Sequence, residues 1–247
     1  MISLNRYSTF RSKFADINVY ILDHLLQSLR MDVNSGLYKK DPLSSKVGRK
    51  ILNATPELVL QLGIDQFTFK KLAGAINITE GAVYRYFENK HRLLLYLLSW
   101  YWKWLEHCLV LELTNMTDSD AKLNKCLIRV IEGPPFKESD FFNLHTLRDV
   151  IIEESVKAYF GKEVYKKEKK PFYSGFLDFA TRFAETVKEN NPAYQHPKIL
   201  SVMIIESIIQ QQYYERHLPE LTDLSGNLET QVSFFKNVII KTIQNNG

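Results

Sequence analysis

The chain has 247 residues, 45% of them hydrophobic and 24% charged, with a formal net charge of +4. That balance is a folded globular protein's rather than a disordered tail's, and no run of about 18 apolar residues offers a membrane span. The charge is unevenly placed: residues 1–98 hold 14 Lys/Arg against 8 Asp/Glu, and the remainder 18 against 20. A basic front end on a near-neutral body suits an anionic partner there, although a solvated face explains charge alone equally well. Cys108 and Cys126 fit no metal spacing and suit a reducing compartment, without excluding a disulfide between them. Residues 1–10 mix polar side chains where a signal peptide has its apolar stretch, so a cytoplasmic protein is expected.

Nearly every periodic segment has the helical period. Phe14, Ile17, Ile21, Leu25 and Leu29 form one stripe, which predicts an extra helix in an N-terminal extension spanning 1–44. Residues 31–45, with Asn34-Ser35-Gly36, Lys39-Lys40 and Asp41-Pro42, are expected to be a loop or linker. A second helix starts near Ser45 with Val47, Ile51, Ala54, Leu58 and Leu62 on one face. Gly63 ends it, and Pro56 inside it is expected to kink or split it.

Two short helices follow at 69–76 and 80–87, then a long one from Lys90 to about Leu113. Further helices are predicted at 121–131, 140–160, 172–189, 198–217 and 228–243, with Gly133-Pro134-Pro135 a firm stop and 161–171 a lysine-rich loop. No period-two strand pattern competes, so the fold class is all-α. Its expected domains are the extension at 1–44, a helix-turn-helix domain at 45–98, and a helical ligand-binding and dimerisation domain at 99–247.

The most informative stretch is 68–87. Leu72 and Ile76 face inward from the first short helix, with Ala73 small where two steeply crossed helices come closest. Asn77 stands at the turn, where a left-handed backbone is needed and only Gly is easier. Ile78 plugs the turn, and Val83 and Tyr86 carry the inward face of the second helix. Thr68 and Thr79 each precede a helix as N-caps.

On these residues the segment 45–100 resembles the TetR family of bacterial regulators. The likeness rests on Thr68, Leu72-Ala73, Ile78-Thr79 and above all Val83-Tyr84-Arg85-Tyr86-Phe87 followed by Lys90 and Leu93. Asn77 replaces the family's usual Gly, and Lys71 stands where an acidic residue is common. The resemblance implies a recognition helix in the major groove of double-stranded operator DNA, with Thr79, Glu80, Gly81 and Ala82 toward base edges. It implies phosphate contacts from Tyr84, with Arg85 beside it, from Lys90, and from Thr68 at its helix N-terminus. Glu80 either accepts from a cytosine amino group or only complements its helix dipole, and the residues do not choose. Tyr86 and Phe87 are expected in the core.

One such reading head specifies few base pairs, so a homodimer on a palindromic operator is expected. Its best interface is the last two helices, rich in Ile199, Val202, Met203, Ile204, Ile205, Ile208, Ile209, Phe234, Phe235, Val238, Ile239 and Ile243. Trp100, Tyr101, Trp102, Trp104, Phe136, Phe141, Phe142, Phe160, Phe172, Phe176 and Phe179 crowd the middle, and either line a pocket for an unidentified small-molecule effector or fill the core. The expected function is ligand-responsive control of transcription, with repression as the output. The alternative is a helical protein-interaction module without DNA binding. No enzyme is expected: the six histidines are scattered, the glycines are isolated, and Glu106-His107 and Glu153-Glu154 read as surface helix. Neither a metal nor a cofactor is expected, and Glu206 is the odd polar residue in an apolar run.

Overall fold

A computed structural model of the protein describes residues 31–135, 143–159, 172–224 and 226–244, and every regular element within them is helical. The helices are α1 (Lys46–Gln66), α2 (Phe69–Ala75), α3 (Glu80–Tyr84), α4 (Lys90–Leu113), α5 (Ser119–Glu132), α6 (Leu144–Tyr159), α7 (Ser174–Asn190), α8 (Pro197–His217) and α9 (Leu228–Gln244). The all-α expectation holds. The helix expected before residue 30, the lysine-rich loop at 161–171, and Phe136, Phe141, Phe142 and Phe160 lie outside the described residues.

Ser45 opens α1 by accepting the Gly48 N–H on its hydroxyl at 3.1 Å, and Ile51, Leu52 and Val59 form the buried face. Pro56 does not split the helix. Backbone angles stay helical through it, and the one departure is Gly63, at φ 70° and ψ 155°. Thr55 Oγ1 donates to the Ile51 carbonyl at 2.6 Å, adding a bond in the turn where the proline removes one. Gly63 breaks the helix because its left-handed φ costs a glycine nothing.

The expected boundary at residue 98 falls inside α4, which runs unbroken from the reading head into the body. Every residue from 93 to 102 is buried, as a helix covered on all sides requires. Trp100 and Trp104 stack with centroids 5.1 Å apart, and Trp102 meets Phe176 and Phe179 at 5.1 and 5.2 Å. Most of the described central aromatics are therefore core. Cys108 and Cys126 are buried and not bridged to each other, so the disulfide left open by the sequence is not formed. Burial pushes the Cys126 thiol up to about 12.

In the body α4 packs on α6 and α7, α7 on α8, and α5 on α9. The apolar run of α8 divides into two faces. Leu200, Ile204, Ile205 and Ile208 are buried, whereas Ile199 and Met203 are 60% and 58% exposed. The last helix divides likewise, with Phe235, Ile239 and Ile243 inside and Phe234 and Val238 outside.

Residues 31–44 are not a free linker. They form a strap with two 3-10 turns, burying Met31, Val33, Leu37, Pro42 and Leu43 against the reading head. Gly48 permits this approach, since a Cβ there would run into the Pro42 backbone.

Candidate nucleic-acid interface

The helix-turn-helix is built as its residue types require. Leu72, Ala73 and Val83 are buried at the crossing, with Ile76 and Ile78 half-buried at the turn. Asn77 has φ 55°, the left-handed conformation expected of it. Thr68 Oγ1 accepts the Lys71 N–H and Thr79 Oγ1 accepts the Ala82 N–H, both at 3.2 Å, so both threonines are N-caps. Tyr86 and Phe87 are core.

These contacts leave one outer face open. Thr68, Thr79, Glu80, Gly81, Tyr84 and Arg85 are exposed, and Ala82 is half-buried. Tyr84 is 45% exposed, with its ring held edge-on against Phe69 at 4.9 Å. A Cβ on Gly81 would meet nothing within 4 Å, so the fold of this chain does not demand glycine there.

Lys90, expected at a phosphate, is engaged within the chain itself. Its ammonium donates to the carbonyls of Ile64, Asp65 and Phe67 at 2.8, 3.0 and 3.1 Å. All three N–H donors are thereby committed to the chain end that leads into Thr68. The spacing to the Tyr-x-Tyr-Phe run identified the position but not the partner.

Sequence reasoning also missed Glu154. Far from being surface helix, it is only 5% exposed and accepts the Ile64 N–H at 3.2 Å. Lys157 pairs with it at 3.1 Å and approaches Asp65 at 3.8 Å; the bond to Glu154 raises the Lys157 pKa. Its neighbour Glu153 does lie nearer the surface, paired with Arg216 and His217. Nothing in the local pattern separates the two glutamates, because the partner of Glu154 lies 90 positions away.

A cavity of about 620 Å³ opens between α4, α6, α7 and α8. Trp102, Val156, Tyr159, Phe176, Met203 and Ile209 supply its apolar wall, and Glu206 is the one charged side chain on the described lining. Burial raises the pKa of the Tyr159 phenol, opposed by the neighbouring Trp102 indole. Among the described residues no cluster of His, Cys, Asp or Glu could hold a metal, and no helix is long and apolar enough to cross a membrane.

Comparison with known proteins agrees with this geometry. Residues 51–97 match the family described as bacterial regulatory proteins, tetR family. No curated protein matches the sequence. Solved structures are similar in fold at low identity. AibR in complex with isovaleryl coenzyme A and operator DNA is 14% identical, with a TM-score of 0.53 over 77% of this chain and 97% of that one. The regulator FadR from Bacillus subtilis, in complex with stearoyl-CoA, is 14% identical, with a TM-score of 0.54 over 78% and 98%. PfmR, a TetR family transcriptional regulator from Thermus thermophilus, is 13% identical, with a TM-score of 0.54 over 77% and 97%.

Proposed function

We propose that this chain, whose residues 51–97 match the family described as bacterial regulatory proteins, tetR family, is an effector-responsive repressor. In this reading it binds a palindromic operator as a homodimer and works in the cytoplasm. The observation that carries it is the open outer face of α3: Thr79, Glu80, Gly81, Tyr84 and Arg85 are exposed on a helix pinned from behind. A rigid helix with small residues at its N-terminal end fits a major groove. Thr68, Tyr84 and Arg85 are the phosphate ligands in this scheme, and Lys90 holds the segment that presents Thr68.

Dimerisation uses the outer faces of α8 and α9, where Ile199, Met203, Phe234 and Val238 stand exposed. The effector occupies the cavity of about 620 Å³. Its apolar wall suits a hydrocarbon chain, and acyl-CoA esters are the ligands of AibR and FadR. Two elements of that wall reach the same hinge. From α6, Glu154 grips the Ile64 N–H; from α4, Lys90 grips the carbonyls at 64, 65 and 67. An occupant that shifts either wall moves the entry to α2, which is how its differential affinity reaches the reading head.

Selecting duplexes from a random-sequence pool tests the function. Recovery of a palindrome, bound with a steep salt dependence that drops in Arg85→Ala and with an affinity that falls in Tyr84→Ala, is the expected result. Failure to enrich any duplex would return the chain to the class of protein-interaction modules. Met203→Glu with Phe234→Glu is expected to yield monomers in sedimentation, and an unchanged dimer would remove α8 and α9 as the interface.

A further inference from the structure

The strap at 31–44 adds positive charge at the C-terminal end of α3, beside Arg85. Lys39 donates its backbone N–H to the carbonyl of Tyr86 at 2.7 Å, so the strap is bonded to the chain just beyond α3. The ammonium of Lys40 sits 5.5 Å from the centre of the Tyr86 ring. The phenol of the same tyrosine shares a 2.7 Å hydrogen bond with the hydroxyl of Ser45, the N-cap of α1. Arg92 donates to the Gly36 carbonyl and holds the strap's other turn onto α4. The bonds from Lys39 to Tyr86 and from Arg92 to Gly36 thus fix a short piece of backbone whose two lysines are both exposed.

Their surroundings are cationic. Arg85 precedes Tyr86 and is exposed, and Lys46 is exposed beside Ser45. Of the nearby carboxylates, Asp41 accepts the Leu43 N–H and Glu88 pairs with Arg92 at 3.0 Å. A helix that points its N-terminal residues at bases leaves its C-terminal end beside the sugar–phosphate wall of the groove. The strap crosses at that end. Cations on a fixed backbone there can meet phosphates without a large ordering cost, since their main chain is already ordered.

We infer that Lys39 and Lys40 form an accessory phosphate-binding edge, which extends the duplex contact of each reading head beyond the helix-turn-helix. The inference rests on the duplex-binding reading above and adds residues to it. The contact is electrostatic and sequence-independent: it strengthens binding to every duplex and reads no base.

The test measures binding of the full chain to a pool-selected duplex and to a scrambled duplex of equal length, between 50 and 200 mM salt. In K39A/K40A the salt slope is expected to fall by about 1.8 per reading head, at 0.9 for each lost phosphate contact. Affinity for both duplexes should drop together, by roughly tenfold per lysine near 0.1 M salt. K39R/K40R should restore both. Both side chains are exposed, so circular dichroism and the melting temperature should stay at the parent values. An unchanged slope in K39A/K40A overturns the inference while leaving the operator-binding reading intact, and so does a loss confined to the selected duplex. Absence of duplex binding by the parent chain overturns both.

Discussion

Lys90 places one ammonium on three carbonyls, an arrangement that stabilises the chain whether or not DNA is present. Lys90→Met, which keeps the apolar stem, is expected to cost the DNA-free protein about 2 kcal/mol in urea unfolding, the range for hydrogen bonds to a charged group. A residue serving only as a phosphate ligand would leave that curve unchanged. Gly81 makes the opposite case. Since a Cβ there is sterically free and alanine is the better helix former by about 1 kcal/mol, Gly81→Ala should raise stability. The same substitution should weaken operator binding if bases or backbone approach the bare Cα, and gel shift on the selected duplex reads that loss. At the turn, Asn77→Ala puts a Cβ without a local hydrogen-bonding group at φ 55° and should cost about 1–2 kcal/mol, whereas Asn77→Gly should be tolerated. Asn77 itself was readable from the sequence because its demand is purely local.

Among the elements, α1 and α6 meet at the most telling joint. The break at Gly63 turns the Ile64 N–H out of the helical ladder, and Glu154 takes it up. Gly63→Ala forces a side chain into left-handed backbone and should destabilise the protein by about 1–2 kcal/mol, measured by thermal melting. The sequence identified Gly63 as a helix end through its own backbone chemistry. The kink or split expected at Pro56 is not found, because the proline penalty is an average over helices, and here a neighbouring hydroxyl and burial of the ring hold the turn together. The segment containing the strap reads as a loop or linker in the sequence for a related reason. Asn34-Ser35-Gly36 and Asp41-Pro42 do announce turns, and turns are present, but only the fold reveals that Leu37 and Leu43 close over α1 and α4.

Across the whole molecule, burial sets the response to alkaline pH. The Cys126 thiol is held protonated up to about 12 in the folded chain, against 9.0 as its ordinary value, so the unfolded chain releases that proton first. Buried Tyr101 and Tyr159, both also raised by desolvation, act in the same direction from about pH 10 upward. With respect to these groups stability should therefore be level below pH 9 and fall above it, as a series of thermal melts would register. Both thiols should also resist iodoacetamide at pH 8 until the protein unfolds. The proposed coupling between cavity and reading head is tested at the same scale. Glu154→Gln retains an acceptor for the Ile64 N–H but gives up the charge that holds Lys157. Under the proposed function it should fold, bind the selected duplex, and lose part of the release that an acyl-chain ligand causes in the parent protein, as gel shift with and without ligand would read.

Residues 68–87 determined their own structure, since caps, a left-handed turn and a small crossing residue act within a few positions and leave a pattern at fixed spacing. The helical period did the same for the fold class. The tertiary structure alone decided that Lys90 clamps carbonyls, that Glu154 is buried beside Glu153 at the surface, and that Lys39 and Lys40 stand at the end of α3. Each of those facts depends on a partner between 23 and 90 positions distant. Such pairings arise when apolar faces close on one another, and the closing is a property of the assembled core that short-range spacing does not encode.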